Sequence, residues 1–450
     1  MAARPPLRAH FSAQRFLVRR LEYAVLARQM PARHDPVRAR KLSLVIGCGV
    51  AGVGLVLDTI LGSTARHVIP VDATVVMVRQ SGALFVRIDD RLRPVANLTS
   101  ARVILGSPAT PRLVDDAALG DTPTGPILGI PGAPASFGRV TAPREVRWTV
   151  CDDADGNTTV AVGDDSMPPH LDPRAAVVAT VAHGDGSAYL LYDGTRAMLD
   201  PGDPATARAL RITETTLRTV SPTVLNTIPE VPAIGAPRIA GMGQPSGVAG
   251  VAVGTVLRVV GTESPEYYVA LPAGLQRIGR LAAELIRFSD PAAQAEITEV
   301  PPELIARSPL VDTLPVGAYP DEPPALLGAG DDDVCATWMS GHSGVAVGPH
   351  PGGHPGTVTL AGSDGDGPAV DSVRMTSGTS LDVTGGPGTG RYLVTSAGVR
   401  FPVPDSATAA LGLSGAPAPA PWSIVGVLPA GPQLDRDAAL VGRDVLGAAP

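Results

Sequence analysis

Lysine is nearly absent from this 450-residue chain: Lys41 is the only one, and arginine supplies every other strong positive charge. A phosphate-cradling Walker loop, Gly-x-x-x-x-Gly-Lys-Ser/Thr, needs a lysine beside the phosphates. Lys41 stands at the edge of an apolar run, so a conventional P-loop ATPase is excluded. Aromatic residues are scarce at 4%, while 51 Gly and 46 Pro exceed a fifth of the chain. Such a composition favours turns and short strands around cores of Val, Ile, Leu and Ala over long helices. A net charge of −7 removes any general affinity for nucleic acid. The Lys-poor, Ala/Gly/Pro/Arg-rich bias is what a GC-rich genome produces and carries no functional signal.

One long hydrophobic run is present, at 42–62 (LSLVIGCGVAGVGLVLDTILG), interrupted by Ser43, Thr59 and the acid Asp58. As a helix it reaches roughly 30 Å, the thickness of a hydrocarbon core. Before it lie Arg4, Arg8, Arg15, Arg19, Arg20, Arg28, Arg33, Arg38, Arg40 and Lys41; the twenty residues after it offer only Arg66 and Arg79. The asymmetry predicts a single transmembrane helix with residues 1–41 cytoplasmic and residues 63–450 outside. A cleaved signal peptide fits poorly, because the preceding region is long and the apolar run exceeds a usual h-region. Asp58 is near enough to the outer end for its carboxylate to reach the interface; an intramembrane partner for another subunit's cation is the alternative.

The basic arm contains a predicted amphipathic helix over 12–30 (SAQRFLVRRLEYAVLARQM), capped by Ser12 and ending near Pro31. Phe16, Leu17, Leu21, Ala24, Val25 and Met30 gather on one side, and Arg15, Arg19, Arg20 and Arg28 on the other. Arg15, Phe16, Arg19, Arg20 and Leu21 are candidate partner-docking residues, on anionic headgroups or on a cytoplasmic protein. A solvated arm whose charges only enforce topology is the plainer reading.

Beyond the apolar run the chain repeats a strand, an Asp- or Gly-bearing turn, a second strand and a short helix. The copies begin with 82–96 (GALFVRIDDRLRPVA), 187–199 (SAYLLYDGTRAML), 266–278 (EYYVALPAGLQRI) and 390–403 (GRYLVTSAGVRFPV). They define four modules near 82–106, 187–212, 265–287 and 389–413. Between them, 146–151 (VRWTVC) and 334–338 (VCATW) each put a Cys and a Trp on a strand. These core segments, near 144–165 and 331–362, suggest a pseudo-twofold central body. Cys151 and Cys335 both lie in the part placed outside, where disulfides persist. A bond between them and two separate buried thiols are both open, while Cys48 reads as a small residue of the span. The Pro-rich stretches 222–237 and 301–324 are expected to lack regular structure.

No catalytic constellation emerges. The loop 385–390 (GGPGTG) leads into a strand and reads as a turn, not a phosphate cradle. His342, His350 and His354 lie in a Gly/Pro loop near Cys335, a metal arrangement only if that cysteine is a free thiolate. Residues 341–344 (GHSG) lack the nucleophile-elbow spacing. The acids at 152–153 and 331–333 read as solvated turns. No metal and no cofactor are expected.

Taken together, 14–22 (QRFLVRRLE), 35–39 (DPVRA), 84–88 (LFVRI), 92–102 (LRPVANLTSAR), 148–151 (WTVC) and 427–432 (VLPAGP) resemble the EccB family, a membrane component of type VII (ESX) secretion systems. The resemblance runs over nearly the whole chain. It implies a single-pass protein of the inner (plasma) membrane, with a cytoplasmic N-terminal helix and one transmembrane helix. It also implies an α+β, mainly-β periplasmic domain with a pseudo-twofold core, four repeat modules and a Cys151–Cys335 disulfide. The implied role is a structural subunit that anchors and oligomerises the translocation channel. Implied partners are EccC, which is the motor ATPase, EccD, EccE, the mycosin protease and further copies of the chain. The family often bears an ATPase label, which would make ATP its only cofactor. A nucleotide hydrolase is therefore one alternative reading; a peptidoglycan-binding module is another, because external repeat modules must sit near the wall.

Overall fold

The fold, a computed structural model, describes residues 7–26, 36–65, 69–70, 72–120, 125–142, 145–163, 168–182, 184, 186–260, 265–289, 297–328, 330, 332–349, 356–386, 388 and 390–444. It divides into two compact units: residues 1–83 with 111–123, and residues 84–110 with 124–450.

The first unit holds helix α1 (Leu7–Val25) and helix α2 (Pro36–Ala65). α1 begins five residues before the expected Ser12 cap. Pro5 and Pro6 precede it in the sequence, and proline is well tolerated where the first helical amides have no partner. Its expected end near Pro31 lies outside the described residues. The 30 residues of α2 give it a length of about 45 Å. Its side chains are described over 41–57, and all are exposed. Among the described residues, no helix is long and apolar enough to cross a membrane. The unit also carries strand Val75–Val78, paired in parallel with Arg112–Val114. Just beyond these strands Arg79 lies 3.6 Å from Asp115.

The second unit is mainly β and is built around a six-stranded sheet. Its order is His342–Gly348, Asp333–Met339, Trp148–Asp152, Thr158–Val162, Ser372–Arg374, Thr357–Thr359. Two antiparallel hairpins thus lie side by side, joined through the antiparallel pair Asp333–Met339 and Trp148–Asp152. The approximate twofold relating them passes between Cys151 and Cys335, which are cross-strand partners. Trp148, Val150, Val160 and Val345 of this sheet share one buried cluster with Val224 and Leu225 of helix Pro222–Thr227 and with Ile424 and Val425 of helix Trp422–Val425. Burial of such a side chain stabilises by roughly 1.5–3 kcal/mol.

The modules prove larger than their sequence signature. The second, third and fourth each contain a sheet in the order third, second, first, fourth strand. In the second module these are Ala175–Val181, Ala188–Tyr192, Thr195–Leu199 and Leu217–Val220, with helix Pro204–Leu210 before the last. The third uses Val256–Val259, Glu266–Leu271, Gly274–Ile278 and Thr298–Val300, with helix Arg280–Ser289. The fourth uses Thr379–Thr384, Arg391–Thr395, Arg400–Pro402 and Ala418–Pro419, with helix Asp405–Thr408. In each, the last strand runs parallel to the first, which requires a crossover, and the helix supplies it. Hairpin Leu84–Ile88/Arg91–Val95 and helix Leu98–Leu105 are the corresponding elements of the first module.

Helix starts follow their caps. Asn97, Asp203 and Ser221 each accept from an amide three residues on, and Pro204 and Pro222 occupy the first turn. The stretches expected to be irregular are therefore partly regular: Pro222–Thr227 and Pro302–Arg307 are helices, and Glu230–Ile234 is a strand. Proline starts these helices instead of breaking them. The second and third modules pack through their helices, where Ala209 and Leu210 meet Leu281 and Leu285.

Candidate functional site

Cys151 and Cys335 are joined by a disulfide with Cα atoms 4.0 Å apart. Alternation along each strand places both on the face of the central sheet opposite Trp148, Val150, Val334 and Ala336. Cys335 is fully buried, and Ala346 covers the pair. Among the described residues the only cluster of three metal-ligating side chains is Cys151, Asp333 and Cys335. Its two sulfurs are bonded to each other, so it offers no thiolate. His342 belongs to a strand, not to the expected loop, because the turn is made by Ser340 and Gly341, both at positive φ. His350 and His354 lie outside the described residues.

Asp152, expected in a solvated turn, is instead buried at the end of its strand. It accepts from the Ser221 amide and, at 2.8 Å, from the Thr158 hydroxyl. Burial pushes its pKa up to about 6, against the pull of those two hydrogen bonds. Asp371 receives the Thr158 amide at 2.7 Å, the Ser363 hydroxyl at 2.7 Å and the amides of Asp364 and Gly365 at 2.8 Å. Burial raises its pKa, but these bonds to the ionised form prevail and hold it below the usual carboxylate range. One threonine thus links two buried carboxylates with opposite titration behaviour. The Ser221 contact also ties the core to the exit of the second module. Neither Asp371 nor Ser221 is singled out by sequence, since their partners lie 213 and 69 residues away.

Arg218 and Arg391 serve as further internal ties. The Arg218 guanidinium, 8% exposed, donates to the carbonyls of Gly328 and Asp332 and fixes the approach to strand Asp333–Met339. Arg391 pairs with buried Asp382 across a hairpin and also donates to the carbonyls of Leu413 and Gly415.

The candidate docking residues lie on α1. Arg15, Arg19, Arg20 and Leu21 are exposed, and Phe16 is half-buried. Leu17, Val18, Leu21 and Val25 form an exposed apolar stripe, with Leu21 65% exposed and Val25 82% exposed. Their spacing repeats with the helical period, so they occupy one face. Phe16 is less available than the sequence pattern suggests. Val18 joins the stripe although the pattern did not point to it.

An open cleft of about 530 Å³ lies beside the core hairpin, between Trp338 and the Asp193–Gly194 turn of the second module. A smaller one of about 370 Å³ lies in the third module around Arg277 and Arg280. Glu266 and Glu322 lie beside those arginines at 3.7 and 3.4 Å. No arrangement of nucleophile, base and oxyanion donors is present among the described residues of either cleft.

A family profile described as "Type VII secretion system ESX-1, transport TM domain B" matches residues 3–448. The chain is 33% identical to the "ESX-3 secretion system ATPase EccB3" of Mycolicibacterium smegmatis, over 98% of this chain and 92% of that protein. It is 29% identical to the "ESX-5 secretion system ATPase EccB5" of Mycobacterium marinum, over 98% of this chain and 94% of that protein. Among solved structures, a chain of an intact ESX-5 inner membrane complex superposes with a TM-score of 0.73 at 29% identity, covering 100% of this chain and 98% of that one. A chain of an EccB3 dimer from an ESX-3 core complex superposes with a TM-score of 0.71 at 32% identity, covering 82% of this chain and all of that one.

Proposed function

Because the chain belongs to the EccB family of type VII secretion components, we propose that it is a structural subunit of an ESX inner-membrane complex. In this reading α2 crosses the membrane once, α1 docks in the cytoplasm, and the β-rich body assembles in the periplasm. The order of parts along the chain carries it: a cationic helix, a 30-residue helix with an apolar centre, then a body closed by a buried disulfide. The positive-inside bias and the need of disulfides for an oxidising compartment then agree on sidedness. The solved EccB3 chain is described as a dimer, and self-association of this chain in the same way is part of the proposal. The remaining partners are EccC, EccD, EccE and the mycosin protease.

Deleting residues 1–30 should release the protein from its complex on a native gel while leaving the chain in the membrane fraction. Assembly and secretion at wild-type levels by the truncated chain would sink the docking role.

A second reading, nucleotide hydrolysis, rests on the word ATPase in the names of the relatives. It has to operate without a Walker lysine. Hydrolysis by the purified full chain, abolished by a single substitution in the β-rich body, would establish it.

A further inference from the structure

We infer that the cleft beside Trp338 binds an oligosaccharide, with a pyranose ring stacked on the Trp338 indole and its hydroxyls bonded to Glu145, His170, Asp193, His342 and Ser343. All six residues line the one cleft. Its volume of about 530 Å³ suits a ligand of two or three rings. The inference goes beyond the assembly role and does not depend on it.

The cleft is preformed. Trp338 is the cross-strand partner of Trp148, which is fully buried, whereas Trp338 remains half-buried at the cleft wall. His170 is seated by backbone: it bridges to Ala346, and the next amide, of Leu171, donates to the Val345 carbonyl at 2.8 Å. The ring comes this close only because residue 344 is glycine; a Cβ there would lie 3.0 Å from the imidazole. On the opposite wall Asp193 and Gly194 both take positive φ in a tight turn. A Cβ on Gly194 would lie 2.4 Å from the Ser343 carbonyl oxygen, so this turn sits against the hairpin. Both walls are therefore held without a ligand, and binding orders little of the protein.

The lining selects the ligand class. Two carboxylates, Glu145 and Asp193, outnumber the one guanidinium of the lining, Arg147, so its net charge is negative and opposes an anion. A metal is not favoured, because no three ligating atoms of the cleft converge among the described residues. An apolar ligand would leave the carboxylates, imidazoles and hydroxyl without partners. A hydroxyl-rich ring with an apolar face matches both kinds of surface: C–H groups on the indole, and hydroxyls that donate to carboxylates and accept from or donate to imidazoles and Ser343.

The test uses the full chain in detergent, with N-acetylglucosamine trimer as probe and the heat of binding in isothermal titration calorimetry as readout. The expected result is a saturable heat that persists in Trp422→Phe, whose ring is exposed elsewhere, and disappears in Trp338→Ala. Glu145→Gln, at an exposed position, should weaken binding about tenfold without altering the fold by circular dichroism. Co-sedimentation with purified cell-wall sacculi separates the two sources of such rings. Loss of pelleting in Glu145→Gln marks wall glycan as the ligand, and trimer binding without pelleting marks a free saccharide. The inference is overturned if neither probe binds, or if binding is unchanged by both Trp338→Ala and Glu145→Gln. In either case the assembly role stands or falls separately on the native gel.

Discussion

Cys151 and Cys335 are direct cross-strand partners, 184 residues apart in sequence, and the chain between them carries the core strand Thr158–Val162 and the second and third modules with their links. Cross-linking a loop of that length lowers the entropy of the unfolded chain and is worth about 5 kcal/mol in the chain-entropy model. Replacing both cysteines with alanine should lower the melting temperature by several degrees or more, while the single free thiol at Cys48 can be left in place. Calorimetry of the wild type with and without reductant checks it. An unchanged melting temperature in the double mutant would show that the sheet alone fixes the two hairpins.

Asp152 should make the fold more stable in mild acid. Its folded pKa, about 6, lies above the ordinary 3.8, so between these values the native state binds the proton and the unfolded chain does not. The contribution is fully present below about pH 4 and is lost as pH rises through 6. The span corresponds to roughly 3 kcal/mol. Chemical denaturation from pH 4 to pH 8 should show this decline, superposed on other groups. Asp152→Asn, neutral throughout and able to accept the Ser221 amide, should flatten it. Asp371 contributes with the opposite sign, because its depressed pKa favours the fold above the ordinary carboxylate range.

The Arg391–Asp382 pair is largely withdrawn from solvent, with Asp382 only 2% exposed and Arg391 15%. Removing one partner strands the other in a low-dielectric site, at a cost of about 3–5 kcal/mol. Arg391→Met should therefore destabilise strongly in urea melts. The double variant Arg391→Met/Asp382→Leu should recover much of the loss, since an apolar pair of similar volume has no charge to desolvate. Equal destabilisation in the single and double variants would shift the weight to the Leu413 and Gly415 carbonyls that Arg391 also holds.

The hairpins of the modules were legible because each pairs local strand patterns with turn chemistry. Asp89, Asp90, Asp193 and Gly194 all adopt the positive φ that such turns demand. Outer strands such as Thr298–Val300 and Ala418–Pro419 were not legible. They are two or three residues long, and only parallel pairing with a strand tens of residues earlier makes them strands. The same limit hid His170, placed in the cleft by one bridge to Ala346. It also hid Asp152, whose Asp-rich surroundings read as solvent-facing although its partners at Ser221 and Thr158 bury it. The arm helix was readable as a cationic amphipathic segment, but its start was not, since Ser12 is a good cap residue that the helix passes through.

Two glycines with similar backbone angles should respond differently to alanine. Gly138 (φ +59) and Gly163 (φ +67) both occupy the left-handed region, which costs an L-residue about 1–2 kcal/mol. Around Gly163 a Cβ would meet nothing within 4 Å, so Gly163→Ala should lose only that amount. At Gly138 the same atom would lie 2.0 Å from the Gly378 carbonyl oxygen, which accepts the Arg139 amide where strand Arg139–Thr141 joins the fourth module. Backbone cannot rotate away as a side chain can, so Gly138→Ala must break that hydrogen bond or shift the strand. It should therefore cost clearly more than Gly163→Ala. Comparing the two variants by urea denaturation isolates the steric part, because the conformational part is common to both. Equal losses would mean that the Arg139–Thr141 strand moves freely and does not help to hold the fourth module on the core.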